Sequence, residues 1–216
     1  MRSMGEKMFG KNTVTTDKEA LSFVNKYGVV TLFPIRGWRF PNLYQAVVGQ
    51  HKAAKLPKMW LWADSLSEKK RMHYGKLVRN QSTLLSLEMF PCFYRMYGRQ
   101  KVGDTAQKIL EFLKRHGATS TTILKRHLNL TGKANRSKFA KAIDELQTTF
   151  SVAIVARDKA PRMTHSYDLM ERWMPELVEA ALHSTEVSAR EQITAKLLGN
   201  NVFDKREHVE TFLNRL

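Results

Sequence analysis

Acidic side chains are scarce in this sequence: 20 Asp and Glu stand against 36 Lys and Arg, a formal net charge of +16. That balance disfavours a cationic partner and favours a polyanion, since each phosphate met by Lys or Arg releases counterions. Cysteine is scarcer still. Cys92 is alone, so the chain can build neither a disulfide framework nor a cysteine-based zinc site, and a reducing compartment is expected. Its apolar setting, FPCFY, points to a buried thiol rather than a nucleophile. No apolar run reaches the ~18 residues of a membrane span, and MRSMGEKMFG lacks the apolar centre of a signal peptide. The seven histidines fall in no HExxH or similar ligand spacing, and neither GxxxxGK[ST] nor GxGxxG occurs. The expectation is a cytoplasmic, nucleoid-associated chain with no membrane partner, no metal and no cofactor.

What is present belongs to a folded protein. Hydrophobic residues make up 43% and charged residues 26%, enough to form a core and too apolar for disorder. The positive charge is unevenly spread. Residues 1–100 hold 17 basic and 6 acidic side chains, 101–175 hold 14 and 7, and 176–216 hold 5 and 7. The net values of +11, +7 and −2 turn the first two segments toward a polyanion and leave the last one out.

Helix and strand signals follow one another along the chain. Thr16 and Glu19 have capping-box spacing ahead of the apolar face of Ala20, Leu21, Phe23 and Val24, and Gly28 stops that helix. GVVTLFPI, residues 28–35, follows without a charged or amide side chain. Pro41 opens a predicted helix, PNLYQAVVGQ; HKAAKLPK reads as a basic loop, with a further helix starting at Asp64 or Ser65. MHYGKLVRNQSTLLSLEMF reads as strand, turn, strand, and FYRMYGRQKVGD as a linker. From Asp104 come three helices: DTAQKILEFLKRHG with Asp104 as its cap, TSTTILKRHLNL, and ANRSKFAKAIDELQTTF. A strand, a basic turn with Pro161 and a second strand close the unit. Helices then begin at Pro175, over AREQITAKLL, and over FDKREHVETFLNRL with Asp204 and Glu207 in capping-box positions. Trp60, Trp62, Tyr94, Tyr97, Phe90 and Phe93 have spacings that suit a core better than a base-stacking platform.

Three helices and a hairpin in about 70 residues are the order of a winged helix-turn-helix, and residues 17–90 repeat that order loosely without a sequence repeat. The fold class expected is mainly α with small β-hairpins (α+β), in tandem winged helix-turn-helix domains. Their bounds are 1–100 and 104–175, with a helical extension, a partial third helix-turn-helix, over 176–216. The reading helix is then 134–149, with Asn135, Arg136, Lys138 and Lys141 opposite its apolar stripe. Arg and Asn suit base edges, and Lys suits phosphate. Arg157, Lys159 and Arg162 on the turn are where a wing meets backbone or minor groove. Lys69, Lys70, Arg71, Lys76 and Arg79 surround the first hairpin. Duplex DNA is the partner these groups imply, and structured RNA or a ribosome is the competing polyanion.

The motifs IL-EFLKRHGATSTTILKRHL, FAKAIDELQTTFSVAIV, SYDLMERWMP and SAREQITAKLL, with WLWADSL, HYGKL and LLSLEMFP before them, are similar to the AlkZ/YcaQ-type family of winged-helix DNA glycosylases and its shorter AlkZ-related branch. The resemblance covers most of the chain and implies a tandem winged-helix protein that binds duplex DNA. In the active enzymes of that family, a Gln-x-Gln or Gln-x-Asp pair follows a glycine and a short apolar strand, where it positions water and offsets positive charge on the sugar. By position, Leu32, Phe33 and Pro34 stand there in this chain. Leucine and proline can do neither task, so the resemblance implies a DNA-binding protein without the catalytic pair. The alternative is a glycosylase acting through another residue, for which Asp64, in its aromatic setting, is the candidate acid. The end of the chain at Leu216 leaves no room for the full third winged helix and β-barrel of the large enzymes, which adds to the non-enzymatic expectation.

Overall fold

The fold was described from a computed structural model over residues 9, 13–49, 51–157 and 164–216. The chain opens with α1, Asp17–Tyr27. Its capping box forms as the spacing predicts: the Thr16 hydroxyl accepts from the Glu19 amide, and the Glu19 carboxylate accepts from the Thr16 amide. Gly28 ends the helix at φ +79°. A Cβ there would come within 2.8 Å of Met89 Cγ. Gly28→Ala is therefore expected to destabilise the protein by about 1–2 kcal/mol in urea unfolding, through the left-handed backbone and this clash together.

The apolar segment that follows forms β1, Val29–Thr31, buried along its whole length. It pairs antiparallel with β3, Ser82–Ser86, which also pairs antiparallel with β2, Met72–Lys76. A sheet ordered β1-β3-β2 results. The predicted hairpin is thus present but three-stranded. The third strand has three residues, too short for an alternating pattern to announce itself.

Between β1 and β2 the structure corrects three expectations. The helix placed at Pro41 is the single turn α2, Leu43–Ala46. It is capped by Asn42, whose side chain accepts from the Gln45 amide, while Val47 is already extended. The basic stretch read as a loop is helical: α3 runs Lys52–Glu68 without a break at Asp64. Alanine, leucine and lysine favour the helix, and Pro57 sits exposed in the second turn, where water can serve the carbonyl it leaves unpaired. Asp64 is accordingly a buried mid-helix residue rather than a cap. The supposed linker at 93–97 belongs to α4, Phe90–Tyr97, whose Phe90, Cys92, Phe93 and Tyr94 are buried. The six aromatics lie in or against the core, as their spacing predicts. Burial, with the Glu88 carboxylate, pushes the Cys92 thiol up from its ordinary value, which keeps it unreactive.

The second unit comprises α5, Asp104–His116, β4, Thr119–Ser120, α6, Thr121–His127, α7, Lys133–Thr148, and the strands β5, Val152–Arg157, and β6, His165–Leu169. Asp104 is the first helical residue rather than the cap, which is Gly103. The strands form a second antiparallel three-stranded sheet ordered β4-β6-β5. The chain is thus a mixed helical and strand protein, mainly α, with two small antiparallel sheets. Ser67, at the end of α3, donates its hydroxyl to the Ile154 carbonyl on β5, so the two units share a seam.

The remainder is helical: α8, Met170–Trp173, α9, Pro175–His183, α10, Glu186–Gly199, and α11, Arg206–Leu213. The predicted capping box at Asp204 does not form. Lys205 takes the cap position, without a side-chain hydrogen bond. Three of the five cations in this segment are paired within the fold, as Arg190–Glu210, Lys196–Glu88 and Arg206–Glu191. Among the described residues, no helix is long and apolar enough to cross a membrane.

Candidate nucleic-acid interface

Helix α7 carries its charges in the order a helix disfavours. Lys133 and Arg136 lie in the first turn and Lys138 and Lys141 in the next two, whereas Asp144 and Glu145 come near the end. The helix dipole favours the reverse arrangement. Gly132, the N-cap, offers no side chain to the first amides. Lys133, Arg136, Lys138 and Lys141 are exposed and make no ion pair among the described residues. The acids behave differently. Asp144 Oδ2 accepts from Asn80 at 3.0 Å, and Glu145 Oε1 accepts from the Gly103 amide at 2.9 Å. The negative end of α7 is thus docked, and its positive end is free. By contrast, Lys114, Arg115 and His116 on α5, and Lys125, Arg126 and His127 on α6, sit in last turns, where the dipole explains them.

The other candidates divide. Asn135 is half-buried, and its amide nitrogen donates to the Asn129 and Thr131 carbonyls at 3.3 Å each, bracing the turn between α6 and α7. Lys69, Lys70 and Arg71 are exposed between α3 and β2, with the Lys70 ammonium 4.4 Å from the Trp173 ring centre. Arg79 and Asn80 both adopt left-handed backbone, at φ +48° and +56°, in the tight turn Val78–Asn80. The Arg79 guanidinium lies over the Trp38 ring at 5.2 Å. Lys76 is half-buried and borders a cavity of about 240 Å³ in the seam between the units, together with Tyr74, Asp144, His165 and Tyr167. Lys159 and Arg162 lie outside the described residues.

Arg157 is not a free cation. Its Nη1 donates to Asp64 Oδ2 at 2.5 Å, and its backbone amide donates to Glu68 Oε1. Asp64 Oδ1 lies 3.4 Å from His165 Nε2 and makes no hydrogen bond among the described residues. Arg157 and His165 face each other across β5 and β6. One buried carboxylate on α3 therefore binds Arg157 and lies beside His165, the residues at the two ends of the hairpin connection. Sequence reasoning missed this clasp because its partners are 93 and about 100 positions apart, and no local pattern marks them. Removing the carboxylate leaves a partly buried guanidinium uncompensated. Asp64→Ala is expected to lower stability by about 2 kcal/mol, less than for a fully buried pair because the Arg157 side chain keeps 26% exposure. Unfolding of the double variant with Arg157→Ala should show less than additive loss.

A model of the AlkZ-related family matches residues 14–214, nearly all of the chain. The chain belongs to the AlkZ-related family. Membership relates it to the DNA alkylation-repair glycosylases. No curated protein and no solved structure matches it. In this AlkZ-related chain the segment after Gly28 has no titratable side chain. Leu32 is fully buried, Phe33 packs on Tyr44 and Trp60, and Pro34 is exposed. Its one side-chain hydroxyl, on Thr31, donates to the Phe33 carbonyl at 2.8 Å.

Proposed function

We propose that this AlkZ-related protein binds duplex DNA through tandem winged helix-turn-helix units, without the catalytic pair of the glycosylases. The units are residues 1–100 and 104–175, followed by the helical extension 176–216. The observation that carries this reading is the cluster of exposed, unpaired cations on the first half of α7, set against the helix dipole. A folded chain gains nothing from that arrangement by itself. A bound phosphate removes its cost, because the amides, the dipole and the cations all favour an anion at the same end. In this reading α6 and α7 form the helix-turn-helix, α7 enters the major groove, and the connection bearing Lys159 and Arg162 is the wing. Lys69, Lys70, Arg71, Lys76 and Arg79 extend the contact from the first unit.

The absence of catalysis is supported by the apolar segment at Leu32–Pro34 and by the engagement of Asp64. A carboxylate bound to a guanidinium and enclosed at a seam is poorly placed to protonate a base or activate water. The test has two parts. Fluorescence anisotropy with a labelled duplex should show affinity falling steeply between roughly 50 and 200 mM salt, and a flat dependence overturns the binding reading. Incubation with alkylated duplex should yield no abasic sites above background. Abasic product abolished by Asp64→Asn would instead support a glycosylase using that residue, and tighter binding to structured RNA than to duplex would redirect the assignment to RNA.

A further inference from the structure

The turn after β1 and the segment around α11 enclose a pocket of about 290 Å³, near the lower end of the range for small-ligand sites. Its walls are aromatic. Trp38 and Phe203 are half-buried, and both pack on the fully buried Phe212, at ring distances of 6.1 and 5.4 Å. The Arg79 guanidinium lies over the Trp38 ring. Gly37, at φ +77°, turns the chain sharply, with no atom of the described residues within 4 Å of where a Cβ would stand.

The rim is polar and carries two guanidiniums. Arg39, Arg215 and His208 border the pocket with a single acid, Asp204, and all four are exposed. None of them makes an ion pair among the described residues. In the seam cavity, by contrast, the acid Asp144 lines the same walls as Lys76. Unpaired guanidiniums beside half-buried aromatic faces ask for a ligand with a flat ring and an anionic group. The acid adds a requirement for an N–H or O–H donor.

We infer that this pocket is a nucleotide site. The base stacks against Trp38 and Phe203, the phosphate meets Arg39 and Arg215, and Asp204 accepts from an amino or hydroxyl group. The nucleotide is either free or an unpaired unit at the end of a DNA strand, since both present the same groups. The site does not depend on duplex recognition by α7.

Calorimetric titration of the full chain with dAMP tests this. Saturable binding is expected, with deoxyadenosine about tenfold weaker for want of the phosphate. The exposed double substitution Arg39→Gln and Arg215→Gln should weaken dAMP by about tenfold or more, leave deoxyadenosine unchanged and leave the melting temperature unchanged. Phe203→Leu should weaken both ligands. No dAMP binding at millimolar concentration overturns the inference, as does undiminished binding by the arginine variant or equal binding of inorganic phosphate. Competition by a duplex with a 5′-phosphorylated one-nucleotide overhang, but not by a blunt duplex, identifies the strand end as the source. No competition by either identifies the free nucleotide. A variant lacking the α7 cations should still bind dAMP, which separates this site from the duplex interface.

Discussion

Replacing Arg136, Lys138 and Lys141 together with glutamine is expected to lower duplex affinity on the order of a hundredfold or more at low salt. Each exposed cation facing a phosphate forms a charge-assisted hydrogen bond of roughly 1.5–3 kcal/mol in favourable geometry, and solvent screening reduces that value here. The same variant should reduce the slope of log affinity against log salt by roughly 2–3, since about 0.9 counterion is released per phosphate contacted. Stability should move the other way. Removing cations from the positive half of α7 relieves repulsion with the helix dipole, so the variant should melt at or slightly above the parent temperature. Weaker binding with undiminished stability marks a functional surface, and a drop in melting temperature would mark a structural one. Glutamine at Lys18, Lys26 and Lys205, exposed cations on α1 and at the cap of α11, is the matched control and should change affinity less than threefold.

Acid should unfold the protein through His73. This residue lies on β2 with 3% exposure, its ring between Phe90 at 5.5 Å and Phe150 at 5.2 Å. Burial makes the charged imidazolium unfavourable and pulls its pKa from 6.5 down to about 4. Below pH 6.5 the unfolded chain takes up a proton at this position while the folded chain does not until about pH 4. Stability is therefore complete above pH 6.5 and falls as the pH drops toward 4, by about 3 kcal/mol in total from this one group. Urea unfolding of the parent and of His73→Phe between pH 7.5 and 4 isolates the effect. The parent should lose that much relative to the variant, which has no proton to bind. Parallel pH profiles would show that His73 is charged or solvated in the folded protein. His73 is buried and is not among the exposed cations proposed to meet DNA, so duplex affinity at pH 7.5 should be unchanged in the variant.

Local signals were read well where the chain carries its own cap or periodicity. The Thr16–Glu19 box, the Gly28 stop, the β2–β3 hairpin and the α5–α6–α7–β5–β6 order follow from short-range patterns, and so does the apolar segment after Gly28. Misreadings came where a long-range contact outweighed a local cue. Pro57 reads as a helix breaker, yet α3 continues through it because Lys55, Met59, Ala63 and Leu66 are buried against the rest of the fold. Gly98 and Gly103 made 93–103 look like a linker, yet Phe93 and Tyr94 have α9 and α10 to bury them. The strands β1 and β4 are too short for alternation to show, and only their partners define them.

The sequence alone determined the sign and location of the charge, the single thiol, the apolar character of the segment after Gly28 and the cationic face of α7, because each depends on residue type and on spacings within one or two turns. Only the tertiary structure decided that Arg157 is clasped by Asp64, that Asn135 braces a turn, that the cations of α10 and α11 are internally paired, and that Arg39 and Arg215 share a pocket with Trp38. Those facts depend on which distant surfaces meet. A side chain's charge is written in the chain, but whether that charge is free or neutralised is settled by the neighbour that packing brings to it.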